Sequence, residues 1–260
     1  MCKLNELMQV IEQIAPLSLS YKMIEAGSYD NSGIIIESSE NANGVLFSLD
    51  LTESVVERAK ELNCDTIITH HPAIYSPIKS LSINGDTASL LKAIRYNINV
   101  VSMHLNLDIA EWGIDYCLAQ GLGAKDCEII ELITEKNGYG RVFSVPMTEI
   151  ETFVQSINNN FGTEKTLFYG NNAVQKVASF CGSGAHSAIS AVSNGLNVDT
   201  IVTSDLAHHE IKELIERGKN VVVLPHYVSE QYGFNKFFEL ATEKLQGKAK
   251  TFYFIDKRFM

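Results

Sequence analysis

The sequence of 260 residues has no apolar run long enough to cross a membrane, and its opening, Met-Cys-Lys-Leu-Asn-Glu-Leu, lacks the hydrophobic core of a signal peptide. A cytoplasmic location is expected. The five cysteines, at 2, 64, 117, 127 and 181, are odd in number and show no Cys-x-x-Cys spacing. That argues against a disulfide framework or a zinc knuckle and for reduced thiols, with Cys64 and Cys181 as core residues. Positive charge is scarce: 21 Lys and Arg against 31 Asp and Glu give a net charge of −10. There is no broad basic surface for phosphate backbones, which argues against nucleic acid as a partner, although a local cationic site remains open. No Pro/Ser-rich linker or low-complexity tract divides the chain. What is present, 45% hydrophobic residues and a mean hydropathy near zero, fits an ordinary globular protein with a buried core.

Residues 3 to 15 carry apolar side chains at helical spacing (Leu4, Leu7, Met8, Ile11, Ile14) and stop at Pro16, which predicts an amphipathic opening helix. Ile34-Ile35-Ile36 and the run Gly44 to Leu49 read as buried strands, Thr52 to Leu62 as a helix, and Thr66 to Thr69 as the next strand. Further helices are expected over 87–96, 112–119, 149–160, 208–217 and 234–245, and further strands over 177–181, 200–203, 220–224 and 251–255. Strands that are apolar throughout and alternate with helices imply parallel pairing with both faces covered. The expected fold is therefore α/β, with two similar lobes sharing one core, approximately 1–130 and 170–260. Residues 131–169 would connect them, with turns at Asn137-Gly138-Tyr139-Gly140 and Tyr169-Gly170-Asn171-Asn172.

One pattern recurs and picks out the chemistry. Asp65-Thr66-Ile67-Ile68-Thr69 runs into His70-His71-Pro72 and is answered by Val100-Val101-Ser102-Met103-His104 and then Asp108. Asp199-Thr200-Ile201-Val202-Thr203 runs into Ser204-Asp205 and is answered by Val221 to Pro225, His226 and then Glu230. Each half thus delivers imidazole and carboxylate from strand ends, where open α/β sheets bind their ligands. Pro72 breaks the strand after the histidine pair, so both rings can enter one cleft, an arrangement that suits two neighbouring metals. Nitrogen and oxygen donors of this kind fit zinc, manganese, iron or a similar divalent ion. Each residue also has a plain reading. Asp108 with Glu111 matches a capping box, Glu230 fits a solvated helix position, and a histidine ending a strand often only makes a hydrogen bond.

Taken in order, Thr69-His70-His71-Pro72, His104-Leu105-Asn106-Leu107-Asp108 and His226-Tyr227-Val228-Ser229-Glu230 resemble the Nif-three-like family, often labelled GTP cyclohydrolase 1 type 2. So do Asp30-Asn31-Ser32-Gly33, Asp50-Leu51-Thr52, Gly138-Tyr139-Gly140-Arg141, Gly182-Ser183-Gly184 and Thr203-Ser204-Asp205, which extend the resemblance over nearly the whole chain. The resemblance implies a Nif-three-like fold of two three-layer lobes, in a short form with no domain inserted between Arg141 and Gly182. It also implies a dinuclear centre with His70, His71, Asp108, His226 and Glu230 as ligands and Glu230 as the bridge. His104 would stand near the metals, either behind the ligands or as a proton-transfer residue, and the chain would form a ring-shaped homohexamer with its metal sites facing an internal cavity. Tyr29 departs from a common Trp, and Ser204 and Pro225 each replace a usual glycine.

These readings converge on a hydrolase that uses two divalent ions to activate water on a nucleotide or related phosphorylated small molecule. The rival is a noncatalytic metal-binding ring acting as a scaffold, chaperone or regulatory partner-binding protein. Three features stay open. His208-His209 suits a cavity-lining or surface role; Asp205 would orient a histidine, position substrate or cap the following helix; and His186 follows a glycine turn that either faces an anion or is a tight connection.

Overall fold

The computed structural model describes residues 2–260. The first elements are α1 (Leu4–Glu12), α2 (Leu17–Glu25), β1 (Gly33–Ile36), β2 (Gly44–Ser48), α3 (Glu53–Glu61), β3 (Thr66–Thr69), α4 (Ala88–Arg95), β4 (Asn99–Ser102) and α5 (Leu105–Ile109). Next come α6 (Ile114–Gly121), β5 (Glu128–Leu132), β6 (Gly138–Thr148), α7 (Ile150–Phe161), β7 (Leu167–Tyr169) and β8 (Val174–Ser179). Last are α8 (Ala185–Ser193), β9 (Thr200–Thr203), α9 (His208–Glu216), β10 (Asn220–Val223), α10 (His226–Leu245) and β11 (Lys250–Tyr253). The result is a mixed α/β protein with two sheets and ten helices among the described residues. None of those helices is long and apolar enough to cross a membrane. Two compact units are present: residues up to Leu107 with Lys236–Asp256, and Asp108–Asn235 with Lys257–Met260.

The first unit holds a five-stranded sheet in the order β1-β4-β3-β2-β11. Its last four strands are parallel and β1 runs antiparallel at the edge. Leu46, Ile67 and Val100 project into a cluster with Val55, Val56 and Ala59 of α3 and Leu90 and Ala93 of α4. On β2 the next residue, Phe47, meets Phe237 and Phe238 of α10, with ring centroids 5.8 and 5.3 Å away. Adjacent strand residues thus serve two layers, which is why these strands read as continuously apolar. Each fully buried Val, Leu, Ile or Phe contributes roughly 1.5–3 kcal/mol.

The second unit holds a six-stranded sheet in the order β5-β6-β8-β9-β10-β7. Only β8, β9 and β10 are parallel; β6 and β5 on one side and β7 on the other run antiparallel. The expected parallel pairing therefore holds for β4, β3, β2 and β11 of the first sheet and for β8, β9 and β10 of the second, and fails at β1, β5, β6 and β7. A short connection closed by Ile133 and Thr134 N–H bonds to the Asn137 carbonyl joins β5 to β6, and so tight a turn permits only antiparallel pairing. The core of this sheet joins Ala178, Ile201 and Val221 to Ala188 of α8 and Leu214 of α9.

The repeated Asp-Thr pair has an architectural role in both units. Asp65 accepts from the Asn43 and Gly44 N–H groups at 3.1 and 3.3 Å, and Asp199 accepts from Gln175 and Lys176 at 3.0 and 2.7 Å. Each carboxylate thereby pins the start of the neighbouring parallel strand. Asn99 and Asn220, which open β4 and β10, take equivalent places. Their side chains donate to Thr66 Oγ1 at 3.3 Å and Thr200 Oγ1 at 3.1 Å.

Several boundaries differ from expectation: β8 spans Val174–Ser179 rather than 177–181, and Gly138 to Gly140, expected as a turn, open β6. Pro16 does not merely end the first helix: α1 stops at Glu12, and Pro16, at φ −60°, is the N-cap of α2. The last helix starts at His226, eight residues earlier than its periodicity suggests. Tyr227, Val228, Ser229, Glu230, Gln231 and Phe234 are all buried, so its first turns present no polar face to reveal them.

Candidate metal centre

In the first unit, the His70 and His71 N–H groups both donate to the Leu49 carbonyl, at 3.1 and 3.0 Å, which ends β3. The two rings lie 5.0 Å apart, and the ring of His104, which follows β4, lies 5.2 Å from His70 and 6.0 Å from His71. The sequence expectation that strand ends gather these imidazoles is met. His70 is fully buried, while His71 and His104 are partly open.

All three rings are held in the same sense. His70 Nδ1 is 2.8 Å from the Met103 carbonyl, His71 Nδ1 is 2.7 Å from Asp50 Oδ1, and His104 Nδ1 is 2.8 Å from Asp30 Oδ1. Carbonyls and carboxylates only accept, so each Nδ1 carries a proton, which selects the tautomer whose lone pair lies on Nε2, the one a metal-ligating histidine needs. Asp30 also accepts from Ser20 Oγ at 2.5 Å and Ser32 Oγ at 2.7 Å. Burial alone pushes its carboxyl up, but the bonds from His104, Ser20 and Ser32 outweigh burial and hold it below the usual range.

In the second unit, the four-residue spacing of His226 and Glu230 along α10 puts both on one helix face. His226 Nε2 and Glu230 Oε1 are 3.0 Å apart, and Glu230 is buried rather than solvated. His226 Nδ1 donates to Asp205 Oδ2 at 2.5 Å. Of the readings the sequence left open for Asp205, this bond is the contact an orienting residue makes, and the N-cap reading fails because the N-cap of α9 is Ala207. Asp205 adopts φ +54°, a left-handed conformation that costs a non-glycine residue roughly 1–2 kcal/mol. Gly182, at φ +56°, passes so close that a Cβ there would meet Glu230 Oε1 at 2.5 Å. Asp108 lies within α5, and the N-cap of α6 is Gly113, so Asp108 is not a capping residue. It is buried and accepts from Cys181 Sγ at 3.5 Å. Burial first, then the charges of Asp108, Asp115 and Glu230, push the Cys181 thiol far up, so it stays protonated.

Deeper in this unit Asp115 and Arg141 form a buried ion pair at 2.9 Å. Asp115 Oδ1 also accepts from the Cys181 N–H at 3.1 Å, and Arg141 donates to the Gly138 and Gly140 carbonyls at 2.8 and 3.1 Å. With the Tyr139 hydroxyl donating to the Cys181 carbonyl, these bonds fix the 181–184 turn against Glu230.

His70, His71 and His104 of the first unit, and Asp108 and Glu230 of the second, all belong to groups of side chains suited to holding a metal ion. The expected ligand His226 belongs to neither group, nor do His186, His208 and His209, which are exposed. Asp50 and the Met103 carbonyl, which hold the rings of His71 and His70, are positions that spacing alone missed.

The profile of the Duf34/NIF3 (NGG1p interacting factor 3) family matches residues 2–258. The chain belongs to this family. A Clostridium perfringens member called GTP cyclohydrolase 1 type 2 homolog is 31% identical over 254 residues, covering 94% of this chain and 92% of that protein. A Staphylococcus epidermidis member with the same name is 35% identical over 158 residues, covering 60% of this chain but only 41% of its own length. Among solved structures, a Staphylococcus aureus hypothetical protein superposes with a TM-score of 0.85 at 26% identity, covering 98% of this chain and 97% of its own. A Bacillus cereus protein related to NIF3 gives a TM-score of 0.85 at 17% identity over 97% of each chain, a likeness of fold.

Proposed function

We propose that this Duf34/NIF3 member is a hydrolase that holds two divalent metal ions through His70, His71, Asp108, His226 and Glu230, with Glu230 as the bridge, and acts on a nucleotide or related phosphorylated small molecule. The observation that carries the reading is the approach of His226 Nε2 to Glu230 Oε1 at 3.0 Å while Nδ1 is committed to Asp205. Two acceptor atoms at that distance repel each other unless a cation or proton lies between them. Their spacing is near the ~3.3 Å separating two donors on one tetrahedral ion with bonds of about 2.0–2.1 Å. The donor set therefore fits a first-row divalent ion.

Such ions supply activation of water for hydrolysis near neutral pH. The chain's own residues do the rest. Asp50, Asp205 and the Met103 carbonyl fix the ring orientation of His71, His226 and His70. His104 is the residue for proton transfer: Asp30 holds its Nδ1, which leaves Nε2 to take and return a proton. The nucleotide part of the proposal draws on the name its relatives carry. The homohexameric ring draws on the family resemblance and on exposed apolar side chains such as Trp112, Leu132 and Met147.

The test is metal analysis joined to turnover. Protein loaded with zinc, manganese or iron should hold two ions per chain and hydrolyse GTP or another phosphorylated compound, and His71→Ala should lose both properties. Metal-dependent assembly without turnover across a broad substrate screen would instead establish the noncatalytic ring.

A further inference from the structure

Two tyrosines stand beside the histidine cluster and serve no role in the site described so far. Tyr29 and Tyr75 come from separate loops of the first unit, each is 52% exposed, and their rings meet edge to face at a centroid distance of 5.0 Å. The loops are tied together by Asn31 Nδ2 donating to the Ile74 carbonyl at 2.6 Å. Tyr75 in turn stands perpendicular to His104, at 88° and 6.3 Å between centroids. The three rings form a continuous aromatic rim that ends on the residue assigned to proton transfer.

An edge-to-face pair leaves ring surface facing water, and two half-exposed tyrosines on neighbouring loops gain nothing from that exposure. An aromatic ring stacked offset on Tyr75 would sit at roughly 4.5–7 Å between centroids, on the ring that adjoins His104. Tyrosine faces also attract cations, but the two divalent ions of the proposed centre would repel a cationic guest. A neutral planar heterocycle has a face for the tyrosines and ring atoms for His104. We infer that Tyr29 and Tyr75 form a stacking subsite for the planar heteroaromatic ring of the substrate, holding that ring against His104. The inference rests on the proposed hydrolase reading and adds to it the part of the substrate that selectivity acts on.

Calorimetric titration of the metal-loaded full chain with GTP, and separately with tripolyphosphate, tests it. GTP should bind more tightly than tripolyphosphate. Tyr29→Ala and Tyr75→Ala should each weaken GTP about tenfold, as loss of a stacked ring does, and leave tripolyphosphate unchanged. Tyr29→Phe and Tyr75→Phe should retain wild-type affinity. The subsite is overturned if GTP binds no better than tripolyphosphate, if the Ala variants match wild type, or if both probes weaken together. It is equally overturned if the Ala variants change the mass of the assembly by light scattering, which would place the rings in a subunit contact. Metal content separates the two readings. A chain that holds no metal removes the hydrolase reading, whereas one that holds two ions and still fails to prefer GTP removes only the subsite.

Discussion

Asp30 shows how one buried carboxylate sets the state of a neighbouring histidine. Its side chain is fully buried, and three donors stabilise the charged form strongly enough to overcome burial. A carboxyl whose folded pKa lies below its unfolded value of about 3.9 contributes stability that is complete above that pH and is lost as pH falls through the folded value. Asp30→Asn should therefore flatten the loss of stability on acidification below about pH 4, measured by denaturant titration at a series of pH values. The amide in place of the carboxylate would also offer His104 a different partner, so kcat should fall more than KM rises. A second residue-scale prediction concerns the buried pair. Burial pushes the Asp115 carboxyl up while Arg141 pulls it down. Since a guanidinium keeps its proton, Asp115→Ala would strand a charge and cost about 3–5 kcal/mol of unfolding free energy. Neither role was legible in the sequence. Asp30 lies 74 residues from His104, and nothing in Asp-Asn-Ser-Gly distinguishes a turn from an orienting carboxylate.

At the scale of elements, the turn Cys181-Gly182-Ser183-Gly184 behaves as a mould for Glu230. Gly182 needs both its positive φ and its missing Cβ, since a methyl group would sit 2.5 Å from the carboxylate. Gly182→Ala should leave the far-UV circular dichroism intact and lower metal affinity, read by competition with a chromophoric chelator. Asp205→Asn keeps the left-handed backbone accessible but loses the charge on His226, and should weaken metal binding about 10- to 100-fold in the same assay. The element pattern itself was largely readable: β2, β3, β9 and the helix capped by Thr52 lie where apolar runs and caps put them. The misses have causes. In α8 only Ala185 and Ala188 are buried, so no apolar stripe announces it. β7 is exposed throughout and is held by its pairing with β10.

For the whole molecule, the proposed ions should act as part of the fold. Four imidazoles are already held with Nδ1 committed to an acceptor, and a ligand that binds only the native state stabilises it by mass action, about 2.7 kcal/mol at a hundredfold excess over Kd. Removing metal with a chelator should lower Tm, and adding back zinc or manganese should restore it. His71→Ala should make Tm indifferent to metal. The α/β class, the central strands, the family and the candidate donors at strand ends were all readable from the order of residues, because periodicity, turn chemistry and spacing are local and survive in one dimension. So was the repeat, whose Asp65 and Asp199 turn out to pin neighbouring strands in both units. Which acceptor faces each Nδ1, the burial of Glu230 and the approach of Gly182 to it emerged only once the chain was folded. Those are contacts between residues far apart in the chain, and hydrogen-bond direction and close approach depend on distances that no spacing rule encodes.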